Sequence, residues 1–403
     1  MTTPLTPAQV VIVKATAPVL KEHGEKITSL FYRNMLDANP DLRNIFNKAN
    51  QVGGAQPRAL ADAVFAYASH VDDLGKLSSA VERIAHKHVS LHVQPEQYAI
   101  VGKFLLEAVA TVLGDACTPE IGDAWTAAYA SLADIFISRE KQLYAEFENW
   151  TGWRRFKIQK KIVESSEITS FYLVPEDGGA LPLHLPGQYI SLQLHIPKLG
   201  FRQPRQYSLS DAPSHDYYRI SVKKETGKQV AIPGLISNML HDDFAEGDVV
   251  ELTHPAGEFF VRVEEKTPIV LISAGVGITP MISILNSVMA VESSRNISLI
   301  HGSHSSEVRA FADNLKDAAA KTNVRAISFL STLKDHEVQG VHYDFEGQIN
   351  LDKVSPERLF TNDPTAHYYI CGPMPFMTNV QQHLLGRGVN QERIHLEIFG
   401  VGN

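Results

Sequence analysis

Three histidines crowd into the ten residues RIAHKHVSLH, from Arg83 to His92, and a neutral imidazole is the commonest protein ligand for a metal ion. Leu77, Val81, Ile84 and Ala85 recur at helical spacing, and His88 extends that apolar stripe. His86 lies about 200° further round such a helix, beside Glu82 and Arg83. His88 is therefore expected to face inward and His86 to face water. A buried imidazole needs a partner. The stretch alone leaves two open: a hydrogen bond within the core, or a metal.

Two further sets of residues suit bound nucleotides. SAGVGITPM puts Gly275 and Gly277 in the turn between an apolar run and a helix that opens with Thr279 and Pro280. Backbone N–H groups in such a turn can approach a pyrophosphate, and the helix N-terminus adds partial positive charge. The third glycine of the usual dinucleotide fingerprint is missing, so a purely structural turn stays open for this motif alone. A second strand end, ICGPMPFM, places Cys371, Gly372 and Pro373 where parallel sheets bind ligands. Upstream, RQYSLS sets Arg205, Gln206, Tyr207 and Ser208 along a strand, and LPGQYISL places Tyr189 early in another. Arginine can neutralise a phosphate and a tyrosine ring can lie against a flat ring system. Ordinary strand decoration is the alternative for either motif by itself. GLISNML adds a Gly and a Ser at a helix start, another possible phosphate seat.

The elements that must position these groups change character twice. From Thr6 to about Phe147 the spacing predicts six or seven helices, with breaks near Gly24, Asn39-Pro40, Asp72-Asp73 and Gln94-Pro95 and in GDACTPE. From Trp153 to about Val263 the period falls to two. RRFKIQKKIV, ITSFYLVP, GQYISLQLHI, RQYSLS, YYRISVKK, DVVELTHP and GEFFVRV read as strands of an antiparallel barrel, interrupted by a helix in GLISNMLHDDF. From Thr267 onward strand and helix alternate, as in a doubly wound α/β domain: IVLISAG, ISLIHGS, HYYICGP and IHLEIFG are strands, and VRAFADNLKDAAAKT and PFMTNVQQHLLGRG are helices. The expected domains are 1–147, 152–264 and 265–403. The linkers near Glu148–Thr151 and Glu264–Lys266 are short, so packed domains are expected.

With 403 residues, 44% hydrophobic and 20% charged, the chain can build several cores. A net charge of −8 argues against nucleic acid or an anionic membrane as partner. Two cysteines, Cys117 and Cys371, make neither a disulfide framework nor a cysteine metal site, and fit a reducing compartment. The first residues lack the pattern of a signal peptide. PIVLISAGVGITPMISIL is uncharged, but its central glycines and proline make it a buried strand, a turn and a helix start more than a membrane span.

Across roughly residues 153–403, the order and spacing of Arg-x-Tyr-Ser, Gly-x-Gly-x-Thr-Pro and Cys-Gly-Pro resemble the ferredoxin–NADP reductase family. The resemblance implies that Arg205, Gln206, Tyr207 and Ser208 hold FAD, with Tyr189 beside the isoalloxazine. Gly275, Gly277, Thr279, Pro280, Cys371, Gly372 and Pro373 would border a nicotinamide nucleotide. Glu397 and Phe399 in HLEIFG match the family's acidic–aromatic tail, whose ring covers the flavin. In the nearest members a proline follows that Phe-Gly; here Val401 does.

About residues 1–147 resemble the globin pattern, with Phe46 in the corner after Pro40, Gln56 and Leu60 on the next helix, and an inward His on the helix after that. By this resemblance His88 is the proximal haem ligand, Phe46 packs on the haem, and Tyr32, Gln56 and Leu60 line the distal pocket. His86 and His92 are then surface residues. Glu140 falls in step with Leu132, Phe136 and Leu143 on the apolar face of the last helix, where a lone carboxylate is costly. Tyr98 aligns with Val101 and Leu105. In bacterial flavohaemoglobins, residues at these places hydrogen-bond the free nitrogen of the proximal histidine and strengthen its donation to iron. A structural Glu–Tyr or Glu–Lys pair is the plainer alternative.

Globin, flavin barrel and nicotinamide domain in this order look like a flavohaemoglobin. That implies a nitric oxide dioxygenase: NADH or NADPH reduces FAD, FAD passes single electrons to the iron of haem b, and O2 bound there converts NO to nitrate. The expected partners are O2, NO and NAD(P)H, for a cytoplasmic monomer. Two other roles use the same parts, a reductase of alkyl hydroperoxides or other acceptors, and an O2 or NO sensor or store. A complete reductase half speaks against the store. HSSEVR, after ISLIHGS, lacks the paired basic residues expected for a 2′-phosphate and so inclines the donor to NADH.

Overall fold

Prolines and capping side chains start the helices where the sequence changes register. In the computed structural model, which describes residues 4–46, 55–147, 149–227, 233–291, 294–321 and 323–399, Thr6 caps the Pro7–Glu22 helix through a reciprocal pair with Gln9. At the start of Pro95–Leu113 the Gln94 N–H donates to Gln97 Oε1 at 2.9 Å, and Thr118 caps Pro119–Ala145. In all three helices proline occupies the first turn, where its missing N–H costs nothing. With Gly24–Ala38, Ala55–Ser69 and Ser78–Ser90, these make six α-helices among the described residues of the N-terminal region. Their apolar faces meet in one core around Phe31, Met35, Ala68 and Trp125, and in a smaller cluster of Ala85, Val89, Phe136 and Leu143.

The next six strands are β1 (Arg154–Val163), β2 (Ile168–Pro175), β3 (Tyr189–Ile196), β4 (Phe201–Ser208), β5 (Tyr218–Lys223) and β6 (Val249–Leu252). They form one sheet in the order β4-β3-β6-β1-β2-β5. Just past β4, Leu209 bridges to Ile220 of β5, so the two end strands approach each other, as a barrel requires. The segment GEFFVRV is not a strand. Phe259 and Val261 are buried as the alternation predicts, but the backbone leaves the ladder after a single bridge from Ala256 to Tyr189. Alternation reports buried side chains; it does not report hydrogen-bonded backbone.

The last six strands are β7 (Ile269–Ala274), β8 (Ile297–Ser303), β9 (Val324–Leu330), β10 (Phe345–Glu346), β11 (His367–Cys371) and β12 (Ile394–Glu397). Every neighbouring pair in the order β10-β9-β8-β7-β11-β12 is parallel. Strands β9 and β10 carry no motif and escaped the sequence reading. Ile269 and Leu271 pack in one core and Val270 and Ile272 in another, which explains an uninterrupted apolar run: both faces are covered. The helix expected over VRAFADNLKDAAAKT is only Ala312–Ala319. Phe311 takes a left-handed conformation at φ 61°, and no right-handed helix passes through such a residue.

By internal contacts the chain divides into two compact units. One is the helical region to Arg154 together with Ser191–Arg205; the other is Arg155–Ile190 with the chain from Gln206 through the parallel sheet. Within the second unit the core is continuous, since Ile168, Phe259 and Val261 pack with Ile269, Ile282 and Tyr369. Among the described residues no helix is long and apolar enough to cross a membrane. Both cysteines are free.

Candidate functional site

In the helical unit, three helices converge on one nitrogen. Glu140 is 3% exposed, and its Oε1 accepts from His88 Nδ1 at 2.8 Å and from the Tyr98 hydroxyl at 2.5 Å. Tyr98 Oη also stands 2.8 Å from His88 Nδ1. A carboxylate receiving this bond keeps the proton on Nδ1 and leaves Nε2 as the nitrogen with a lone pair. Burial, and then the Glu140 charge, hold the Tyr98 phenol above its ordinary pKa, so it remains a donor. Tyr98 is itself held by Tyr129, whose hydroxyl donates to the Tyr98 carbonyl at 2.6 Å. Tyr129 can lie there because the facing residue is Gly102, where a Cβ would stand 2.4 Å from the ring.

His88 fits a haem ligand. Its side chain keeps 31% of its surface exposed although it lies on an apolar helix face. One imidazole is one ligand, and among the described residues no three His, Cys, Asp or Glu gather to hold a bare ion. A metal seated on Nε2 would bring its other ligands with it, as a porphyrin does. The ring of Phe136 packs 5.6 Å from the imidazole.

Tyr32 is 8% exposed, with its ring edge-on to Phe46 at 5.5 Å. Leu60 packs, partly buried, against the same core. The side chain of Gln56 lies outside the described residues. An apolar cavity in this bundle, bounded by Leu20, Ile27, Phe65, Leu105, Trp125 and Leu132, has none of Tyr32, Phe46, Leu60 or His88 in its wall.

Two expectations are corrected. His86 does not face water: its side chain is 12% exposed and its Nε2 lies 3.3 Å from Glu82. Glu82 also binds Arg139 of the Pro119–Ala145 helix, which covers a face that the helical wheel leaves open. Burial lowers the pKa of His86 despite that carboxylate. His92 is half-buried. It turns the chain at φ 57°, lies edge-on to Tyr144, and sits where a Cβ on Gly152 would be 3.1 Å from its ring.

In the second unit the parallel sheet reverses its order between β7 and β11, because β8, β9 and β10 lie on one side of β7 and β11 and β12 on the other. Such a reversal opens a crevice at the strands' carboxyl ends. Gly275 and Gly277 end β7 there, and Cys371, Gly372 and Pro373 end β11. The two turns touch: a Cβ on Gly277 would stand 2.3 Å from the Cys371 carbonyl oxygen. Gly275 sits at φ 55°, a backbone suited to glycine. Thr279 turns its hydroxyl back to the Val276 carbonyl at 3.0 Å, and Pro280 is buried in the first turn of the Ile278–Ala290 helix. Complete burial, then the charge of Glu397, raise the Cys371 thiol, which stays protonated. Glu397 pairs with Cys371 across the last two strands, and Phe399 beyond it is 45% exposed.

Beneath this edge is a group the sequence reading missed. His301 is fully enclosed, with its two ring nitrogens 2.9 Å from the hydroxyls of Ser273 and Ser303. Burial drives its pKa down to about 4, so a neutral ring ties the ends of β7 and β8.

Of the flavin motif, Arg205 donates to the Pro204 carbonyl at 2.6 Å, and Gln206 and Tyr207 are half-buried on β4. Ser208 Oγ is buried with no hydrogen-bond partner among the described residues, the kind of orphan a ligand satisfies. The Tyr189 ring lies against Gly257, where a Cβ would stand 2.9 Å away.

Residues 29–136 match the Globin family model, and residues 271–382 match the oxidoreductase NAD-binding domain. A flavohemoprotein of Bordetella pertussis is 49% identical over 404 residues, covering 99% of both chains. One of Rhizobium meliloti is 47% identical over 394 residues, 96% of both. Among solved structures, a flavohemoglobin from Malassezia yamatoensis with bound FAD and heme gives a TM-score of 0.87 at 29% identity, covering 99% of this chain and 100% of that one. The FAD/NAD binding domain of a nitric oxide dioxygenase from Vibrio cholerae gives 0.55 at 37% identity, over 61% of this chain and 98% of its own. Identity this high over the whole length, with a globin match ahead of an NAD-binding one, means that the chain belongs to the flavohaemoprotein family.

Proposed function

We propose that this protein is an NAD(P)H-dependent nitric oxide dioxygenase that uses O2 to convert NO to nitrate. The observation that carries the proposal is His88, oriented by a buried carboxylate with Nε2 left available, in one chain with a nucleotide crevice. On this reading haem b binds through His88, FAD through Arg205, Gln206, Tyr207, Ser208 and Tyr189, and NADH or NADPH at the turns around Gly275 and Cys371. Haem b supplies an iron that binds O2, and FAD, which accepts electron pairs and releases single electrons, matches it to a hydride donor.

The protein's own residues divide the remaining work. Glu140 and Tyr98 hold the imidazole in one tautomer and raise its donor strength. Tyr32, with a phenolic proton in an apolar setting, would donate a hydrogen bond to O2 and slow its escape. Ser208 would give its unpaired hydroxyl to the flavin. Gly277 lets the two strand ends close on each other, so that backbone N–H groups of the turn meet the pyrophosphate. The domain limits proposed above, 1–147, 152–264 and 265–403, divide these tasks.

An absorption spectrum of the purified protein should show haem and flavin together, and NADH under air should drive rapid NO consumption to nitrate. Purified protein without either chromophore would refute the reading. So would protein that turns over alkyl hydroperoxide with NADH but not NO.

A further inference from the structure

The flavin strand runs straight into Asp211, a residue outside every motif named so far. Its carboxylate faces both ways. Oδ2 accepts from the hydroxyl of Tyr217, just before β5, at 3.1 Å and lies 3.3 Å from the guanidinium of Arg219 in β5. Oδ1 accepts from its neighbour Ala212 N at 2.9 Å and from Asn286 Nδ2 at 2.8 Å. The Asp211 carbonyl accepts from Ser283 Oγ at 2.8 Å and from His184 Nε2 at 3.2 Å. Ser283 and Asn286 belong to the Ile278–Ala290 helix, which begins directly after Gly277.

The network extends further. Asn286 Oδ1 accepts from Asn314 Nδ2 at 3.2 Å, which adds the Ala312–Ala319 helix. Arg219, also bonded to Ser210, stacks 5.4 Å over Phe311, the left-handed residue at the start of that helix. Burial lowers His184 to about pKa 4, so the ring is neutral and donates from Nε2.

We propose that Asp211 is a positioning residue for hydride transfer, fixing the helix that starts at the nucleotide turn against the end of the flavin strand. This rests on the reading that the barrel holds FAD and the crevice NAD(P)H. The apolar core shared by the two domains holds them together but is not directional. Hydrogen bonds are, and those of Asp211 fix the rotation of the helix about the contact. Because Gly277 abuts the Cys371 carbonyl, any rotation of the helix shifts both turns that border the nicotinamide site.

The test compares wild type with Asn286→Ala, Asp211→Ala and Asp211→Asn as FAD-loaded full-length proteins. Flavin reduction by NADH is followed anaerobically by stopped flow, and backbone amide exchange is measured for residues 278–290 and 312–319. Asn286→Ala removes the bonds to Asp211 and to Asn314 and leaves Arg219 and Ser283 on Asp211, whereas Asp211→Ala keeps the Asn286–Asn314 bond, so the two variants separate the contact from the second helix. Since a misplacement of about 1 Å can cost on the order of a hundredfold, the limiting reduction rate should fall about tenfold or more in Asn286→Ala and further in Asp211→Ala. Asp211→Asn, which keeps an oxygen for Asn286, should recover part of it. The NADH concentration at half-rate should stay nearly constant, FAD should be retained, and exchange in both helices should rise. A limiting rate unchanged in Asn286→Ala overturns the proposal, as does a rate that falls only in proportion to lost FAD. If wild type carries no flavin or is not reduced by NADH, the functional reading fails first and takes this proposal with it.

Discussion

In the helical unit, side chains from three separate helices meet at a single imidazole nitrogen, so the proposed haem chemistry would depend on His88 and the two groups that aim it. In the second unit the crevice is mostly backbone. Two glycine-bearing turns come so close that a Cβ on Gly277 would stand 2.3 Å from the Cys371 carbonyl oxygen, and Thr279 turns its hydroxyl back to the backbone. A haem iron takes the lone pair of a side chain such as an imidazole. Glycine-bearing turns leave backbone N–H groups uncovered at close range, which suits a pyrophosphate. The first kind of site should fail through loss of a functional group, and the second through addition of a methyl.

His88→Ala is the harshest test of the first half of that contrast. It should abolish or scramble the haem spectrum, while His86→Ala leaves it intact; the opposite result would place the iron on the wrong histidine. Gly277→Ala tests the second half. The added Cβ must push the strand ends apart, and NADH-driven flavin reduction should drop on the order of a hundredfold, with the haem spectrum unchanged. A normal rate would mean that the two turns need not touch.

Tyr32→Phe removes the phenolic hydroxyl and keeps the ring. A hydrogen bond to a partly charged oxygen is worth roughly 1.5–3 kcal/mol, so O2 should dissociate about ten- to a hundredfold faster. Flash photolysis or stopped flow would report this, and an unchanged rate would remove Tyr32 from the distal side. Ser208→Ala should weaken FAD binding by about fivefold, the worth of one neutral hydrogen bond. If titration of the apoprotein with FAD shows no change, the orphan hydroxyl does not serve the flavin. Glu140→Gln should have the mildest effect, a fall in the ferrous iron–histidine stretching frequency with O2 release little altered. A frequency that does not move would reduce Glu140 to a structural partner of Tyr98.

Much of this was legible because periodicity reports which residues turn inward. The stripe on the last helix places Glu140 in the core, and the stripe through Val81 and Ile84 turns His88 Nδ1 onto it, with 31% of that side chain left exposed. Strands β1, β2 and β8 begin and end where alternation or an apolar run does. The failures have different causes. His86 looked solvent-facing because nothing local announces Arg139, which arrives from a helix far along the chain. GEFFVRV alternates as a strand should, yet its backbone finds no ladder.

The sequence by itself determined the order of the domains, the apolar helix face that carries His88 and the two glycine-bearing strand ends, because each depends on contacts within a few residues of chain. The tertiary structure alone decided what each group meets. Glu140 reaches His88 across 52 residues of sequence and Asn286 reaches Asp211 across 75. A hydrogen bond needs donor and acceptor within about 3 Å and aligned, and the spacing of residues along a chain says nothing about distances between elements that pack only once the chain has folded.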